Sequence, residues 1–574
     1  MKSKKIAALL LTTALAVSTL AGCGDSASSN GTTANDSVAV ENTGDDSATD
    51  DGATDDGAVE EEASAFVQLD PNVEGELSIM VWSGDGEYYE DIGSLDWAPE
   101  DITAQNVASV YAMAKKFKET YPNVKINLFA KSGDQNGNDT SWAQEIENFK
   151  AQHGKYPDIW ASDNLIWDIE KGLVADLSVF ADDPVYQSFN PGIMSMMNYY
   201  GMQAGLPQFI QPWGVFVNTE LAEQNNIDVP DPDWTIDDYT DFIAQGDKET
   251  FWGAMDIPLS WINTGTQDIN YSLNGHESGD ATYVNLDSDA VKAMLDLVPT
   301  WADNTIWTQN DVGGVATEIM DDGWWWSYHF FVRQYCLTND GDPWMMGDAA
   351  NPEITDSTCN FEFDIYPRPS TDYCDNTVGI VLDPMAIHNY AMDDGDPTLS
   401  ESEEQQLKLA YTFGTFWCAS TEAMQARADQ QWNSGGALKT ALNDSLPLVT
   451  GEEFDKQMEI WYSVPIHASY AEKAGWNAVV EIWENGQMWD VSDKAYPLTI
   501  LEDGVEKACM YEWTNYYTDE NMQAKRAADG WLDEIKSKLP EWNTKANERF
   551  ALAEEQLKTA LTDFYGYTDA DFAE

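Results

Sequence analysis

The pattern of apolar and polar positions predicts an alternation of strands and helices from about Glu74 onward. Leu77-Ser78-Ile79-Met80-Val81-Trp82 reads as a strand, and Ser83-Gly84-Asp85-Gly86 as the turn that ends it. A helix over Ala104 to Tyr121 carries Val107, Val110, Tyr111, Ala114 and Phe117 on one face. Pro122 stops it, and Val124 to Leu128 returns as a second strand. Ser141 to Gln152 is a further helix, and Pro157 to Asn164 a short strand with a polar tip. Strand, helix, strand in that order implies a parallel α/β sheet. Such sheets place ligands outside the carboxyl ends of their strands, so Trp82, Ser83, Asp85, Trp160, Asp163 and Asn164 become candidate site residues.

The stretch Gly205 to Asn218, GLPQFIQPWGVFVN, is of another kind. Pro207 and Pro212 fix φ and withhold two backbone donors, which argues against a helix or a central strand. Trp213 to Asn218 then reads as a short buried strand, with Thr219 capping a helix from Glu220. The segment is expected to cross between two compact units. Gln208, Gln211 and Trp213 sit on it, where small-molecule pockets form preferentially. Further on, Thr235 should cap a helix with acids in its first turn, followed by an apolar loop or helix over Trp252 to Trp261 and a helix from Ser288 to about Ala302. Val378 to Ala386 reads as a second crossing and Glu403 to Cys418 as an amphipathic helix, with helical patterns from about Asp519 broken at Pro540.

Composition narrows the partners. A chain of 574 residues is long enough for two or three domains, and its formal charge of -72 repels nucleic acid, anionic headgroups and phosphorylated ligands. Half of the 24 tryptophans could belong to cores, yet several fall in loops, as flat ligand platforms do. Met1 to Cys23 has the form of an export signal: Lys2, Lys4 and Lys5, an apolar stretch from Ile6 to Val17, then Leu20-Ala21-Gly22-Cys23. That ending resembles the bacterial lipoprotein box, in which the cysteine, here Cys23, is lipidated and becomes the mature N-terminus. Gly24 to about Ala65 lacks Lys and Arg and nearly all large apolar residues, so a disordered acidic tether is expected. Cys336, Cys359, Cys374, Cys418 and Cys509 show no CxxC spacing; one bridge within Cys336 to Cys374 or buried free thiols would both fit.

The lipoprotein box, the acidic tether, VWS at Val81 to Ser83, PDIW at Pro157 to Trp160, GLPQ with GVFVN, WTIDDY at Trp234 to Tyr239, the G-x-A run ending in Gly323-Trp324, and PRPS at Pro367 to Ser370 stand in a telling order. Over roughly Glu74 to Leu539 the chain resembles the family 1 extracellular solute-binding proteins, the sugar-capturing lipoproteins of ATP-driven importers. The resemblance implies an α/β, two-lobed periplasmic-binding-protein-like (type II) fold with lobes joined by crossing strands. Residues 74–211 with 378–445 would form the first lobe and 212–377 with 446–539 the second; 1–22 would be the signal, 23–73 the lipidated cysteine and tether, and 540–574 a helical extension. It further implies a monomer anchored outside the cell membrane, in a Gram-positive bacterium, working with permease subunits and without a cofactor. Trp160, Asp163, Asn164 and Trp324 carry over as cleft residues. The chain departs from the family in its length and in the triplet Trp324-Trp325-Trp326.

A sugar has hydroxyls round its edge and weakly polarised C–H groups on its faces, so its receptor needs flat aromatics with carboxylates and amides beside them. Trp82, Trp160, Trp213, Trp252, Trp261 and Trp324 to Trp326, with Asp163, Asn164, Gln208 and Gln211, supply those types for a neutral oligosaccharide. Adjacent side chains cannot all face one way, so Trp325 is assigned to the core. Asp134, Asn136, Asn138 and Glu145 partly match a calcium loop, but Asp139 stands where such loops need Gly, so a polar loop is the default and no metal is expected. The histidines show no ligand spacing. A cell-surface glycoside hydrolase would need the same platforms plus two flanking carboxylates, which nothing nominates; a polysaccharide-binding lipoprotein uncoupled from transport is the other alternative.

Overall fold

The computed structural model describes residues 69–84, 86–132, 142–255, 261–262, 283–306, 327–340, 346, 358–393, 398–485, 488–490, 495, 499–502, 505–516 and 530–572. The export signal, Cys23, the tether, Asp85, Asp134, Asn136, Asn138 and the Trp324 to Trp326 triplet lie outside them.

Two sheets organise the chain. The first runs in the order Met488–Asp490, Val378–Ile387, Ile159–Ala161, Gly75–Gly84, Val124–Ser132, Tyr88–Tyr89. Gly75–Gly84 is parallel to both Val124–Ser132 and Ile159–Ala161, as strand-helix-strand order requires. Leu77 to Val81 are buried without alternation, because helices cover both faces of such a sheet. The second sheet runs Thr305–Ile306, Trp252–Met255, Cys336–Asp340, Val215–Val217, Asp364–Tyr366. The fold is α/β and two-lobed.

The Gly205 to Asn218 stretch does connect the two. Leu206–Trp213 pairs antiparallel with Val378–Ile387 in the first sheet, and Val215–Val217 pairs with Cys336–Asp340 and Asp364–Tyr366 in the second. Between them, a β-carbon on Gly214 would stand 2.6 Å from Ile365 Cγ2 and 2.8 Å from the Tyr366 carbonyl oxygen, so the close approach of the two crossings requires glycine. The second crossing runs from Asp364–Tyr366 to Val378–Ile387, as expected. As Pro207 and Pro212 require, Leu206–Trp213 is not a central strand: it pairs on one side only, with Val378–Ile387, and an edge position tolerates missing donors.

Other boundaries shift for local reasons. Asn218, not Thr219, caps the helix Thr219–Gln224, its side chain accepting from the Leu221 N–H at 2.9 Å. Thr235 caps Ile236–Ile243 in a reciprocal box with Asp238, as its spacing predicts. Trp252–Met255 is a strand rather than a loop or helix, held between Thr305–Ile306 and Cys336–Asp340. Pro540 does not break the terminal helix, which runs unbroken from Trp531 to Tyr565; apolar packing along its length outweighs the one lost hydrogen bond. Cys336, Cys359, Cys374, Cys418 and Cys509 are all buried free thiols. Several tryptophans belong to the core, including Trp301, Trp417, Trp461, Trp476 and Trp483. Trp461 lies flat between His467 and Trp476, at 3.7 and 5.2 Å between ring centroids.

Candidate functional site

The register of Val378–Ile387 decides where a ligand could enter. It pairs with Ile159–Ala161 only through Met385, Ala386 and Ile387, so its first half continues past the carboxyl ends of the parallel strands. Leu206–Trp213 accompanies it, from Leu206 opposite Met385 to Trp213 opposite Gly379. The crossing ribbon therefore rises from the same end of the sheet on which Trp82, Asp163 and Asn164 stand. Gln211 and Trp213 are half-buried and alternate onto one face with Phe209. Gln208 falls at the bulge opposite the Asp383–Pro384 step. Its side chain is buried and Oε1 has no hydrogen-bond partner among the described residues, an acceptor that a hydroxyl donor would satisfy.

Where the ribbon meets the second sheet, a charge pair is enclosed by indoles. Asp340, at the end of Cys336–Asp340, lies 3.5 Å from the Arg368 guanidinium. Trp261, expected as a platform, is buried against Tyr239 and Trp301 and donates its indole N–H to Asp340 Oδ2 at 3.0 Å; the Trp213 indole is close to the same carboxylate but short of hydrogen-bond geometry. Arg368 is buried, and its guanidinium carbon is 6.0 Å from the Trp261 ring centroid. Burial raises the Asp340 pKa, with Arg368 opposing, and lowers that of Arg368 to about 10, with Asp340 opposing. A recess of about 240 Å³ opens beside this pair, lined in part by Ile236, Trp261, Arg368, Thr371 and Asp375. It is smaller than drug-sized pockets.

At the end of the first sheet the aromatic frame differs from expectation in one respect. Trp160 is fully buried and gives its N–H to Asp168 Oδ2 at 3.0 Å, so it presents no face to a ligand. Ser162 Oγ donates to the same oxygen at 2.6 Å. Asn164 caps the helix Leu165–Glu170 by accepting from the Trp167 N–H at 2.8 Å; Asp163 beside it is exposed. Trp82 is half-buried, its ring 5.8 Å from that of Trp142, and the Lys131 ammonium lies 4.1 Å above it. Ser83 continues the same strand.

The structure thus groups Gln208, Gln211, Trp213 and Trp261 about the crossing, and Trp82, Asp163 and Asn164 at the sheet end. Asp340, Arg368 and Lys131 escaped the sequence reading. Arg368 lay inside the singled-out PRPS motif, but nothing in the sequence tied it to Asp340. Among the described residues no cluster of histidine, cysteine or carboxylates could hold a metal ion, and no helix is long and apolar enough to cross a membrane.

No family model matches the chain, and no curated protein does. Its fold is similar to that of a sugar transporter from Rhizobium etli in an open conformation, at TM-score 0.50 and 14% identity, covering 82% of this chain and 99% of that one. An ABC substrate-binding protein from Listeria monocytogenes in complex with cycloalternan matches at TM-score 0.45 and 15% identity over 86% of this chain and all of that one. A cyclo/maltodextrin-binding protein complexed with maltotetraose matches at TM-score 0.45 and 14% identity, over 84% of this chain and 97% of its own.

Proposed function

We propose that this protein captures a neutral carbohydrate, an oligosaccharide, between its two lobes and delivers it to the permease of an ABC importer, without turnover. The observation that carries this reading is the junction: two α/β sheets joined by crossing strands, with the half-buried Trp213 indole and the Asp340–Arg368 pair gathered where the strands cross. Indole faces suit the apolar faces of sugar rings, and a carboxylate fixed by a guanidinium is an oriented acceptor for hydroxyls. The fold shared with a sugar transporter agrees with it. Trp82, Ser83, Asp85, Asp163, Asn164, Gln208, Gln211, Trp213, Trp324 and Trp326 are the residues proposed to line the cleft, with the buried Trp261 holding Asp340 behind it.

Calorimetry against xylo-, manno-, malto- and β-gluco-oligosaccharides tests this. One series should bind, and Trp213→Ala should weaken that binding by roughly 1 to 3 kcal/mol, about fivefold to 150-fold, with the melting temperature nearly unchanged. Chain lengths should be the same after prolonged incubation. Absence of binding across the panel, or steady product release, would overturn the reading.

The proposal includes attachment through lipidated Cys23 to the outer face of the membrane of a Gram-positive cell, as a monomer. One acyl chain anchors only marginally, so a lipid of more than one chain is required. In cell fractionation, Cys23→Ala should move the protein from membrane to medium or leave it unprocessed; an unchanged membrane fraction counts against the anchor.

A further inference from the structure

We infer that the C-terminal helix, Trp531–Tyr565, is a tether between the lobes that restrains their separation, with Glu554 as an acceptor shared by one tyrosine from each. At 35 residues it is about 52 Å long, enough to span both lobes. One stripe of it is buried throughout: Ile535, Leu539, Trp542, Ala546, Phe550, Ala553, Leu557 and Leu561 recur at intervals of three and four.

The first half of the helix is fastened to the second lobe. Residues 283–306 belong there, since Thr305–Ile306 pairs in the second sheet. Asn543 Oδ1 accepts from the Leu286 N–H at 2.9 Å. Asn547 Oδ1 accepts from the N–H groups of Tyr283 and Val284 at 2.6 and 3.2 Å, and its amide donates back to the Val284 carbonyl at 2.9 Å. The Tyr283 ring stacks on Phe550, and Lys536 pairs with Asp296 at 2.5 Å.

The second half is fastened to the first lobe. Tyr565 donates its hydroxyl to the Val174 carbonyl at 2.9 Å, and Val174 bridges to His388 just beyond Val378–Ile387. Phe564 packs so closely on Gly172 that a β-carbon there would stand 2.9 Å from its ring. Glu554 lies between the two attachments: Oε1 accepts from Tyr200 of the first lobe at 2.6 Å, Oε2 from Tyr283 of the second, and the Lys558 ammonium sits 2.6 Å away one turn on.

The crossing strands alone leave the lobes free to hinge. A helix that grips both lobes lets them part only if the Glu554 bonds or the apolar seam on one side give way. This inference needs the two-lobed fold but not any particular ligand.

Spin labels at Val179→Cys and Glu223→Cys, exposed positions on the first and second lobes, report the interlobe distance by pulsed dipolar spectroscopy of the full chain without sugar. Tyr200→Phe and Tyr283→Phe keep their rings and each remove one bond to Glu554. Each should broaden the distance distribution and shift its mean outward, and Glu554→Gln, which keeps the shape but weakens both bonds, should do the same. Lys536→Ala, which loosens a contact with one lobe only, should leave the distribution as in the parent. If all three tether variants melt like the parent and keep its distribution, the helix is only a packed appendage. Because no sugar is added, this result stands apart from the outcome of the binding assays.

Discussion

Asp340→Ala is expected to destabilise the protein by about 3 to 5 kcal/mol, the cost of removing one member of a buried ion pair. The alanine leaves the Arg368 guanidinium in a buried site without its carboxylate neighbour, and takes from the Trp261 N–H its acceptor. Burial already lowers the Arg368 pKa to about 10 against the pull of Asp340, so losing that pull makes its charge harder still to keep. Asp340→Ala combined with Arg368→Met should recover part of the loss, because an apolar side chain of similar length has no charge to solvate. Urea denaturation of the parent, both single variants and the double variant measures the coupling. A single-variant loss below about 1 kcal/mol would mean that the pair behaves as a solvent-screened one. On the proposed function, oligosaccharide binding should fall with Asp340→Ala, whereas Asp340→Asn retains an acceptor for Trp261 and should weaken binding less.

That pair also shows what could be read from the sequence and what could not. Periodicity and capping are local, so the helix after Thr235 and the one after Ser288 were legible to within a residue of their starts. The crossing was legible too, because two prolines followed by a short apolar run mark a change of unit. The strand character of Leu206–Trp213 was not, since it depends on one free edge, and edges are set by distant partners such as Val378–Ile387. The same holds for Trp160. Its place after a strand suggested a platform, but whether an indole faces a cleft or a core is decided by what packs on it, here Asp168 on the next helix. Asp340 and Arg368 are far apart in sequence, and in a chain with 101 acidic residues no single carboxylate stands out. Lys131 lies beyond the Val124 to Leu128 run that the pattern marked as strand, and its burial beside Trp82 is the kind of fact only tertiary structure supplies.

Asp168 should make stability fall as pH rises from about 4 to 7. Its carboxyl is enclosed beneath Trp160, and burial pushes its pKa from 3.8 up to about 7, while the bonds from Ser162 and Trp160 oppose the rise. The native state therefore keeps a proton that the unfolded chain gives up near its ordinary value. Below about pH 4 both states are protonated and the site carries no penalty; between 4 and 7 the unfolded state is increasingly favoured, and above 7 the penalty levels off. A shift of this size corresponds to about 4 kcal/mol over the full window. Repulsion among the other carboxylates of so acidic a chain grows over the same range, so the parent alone cannot isolate the effect. Asp168→Asn keeps an oxygen to accept from Ser162 and Trp160 but has no proton to lose, and it shares the background repulsion. Its stability, measured by denaturant titration against the parent at pH 5 and pH 8, should rise relative to the parent by roughly 3 kcal/mol between those values. Parallel curves for the two proteins would show that the native carboxyl titrates at its ordinary value. The helix that carries Asp168 also carries Asn164 at its start and packs against the C-terminal helix, where Tyr565 senses the Asp168 charge. Ionisation of this one group is thus expected to loosen the end of the sheet from which the crossing ribbon rises, and hydrogen-exchange protection in residues 165–174, taken relative to the intrinsic rate at each pH, should fall between pH 5 and pH 8 in the parent but not in Asp168→Asn.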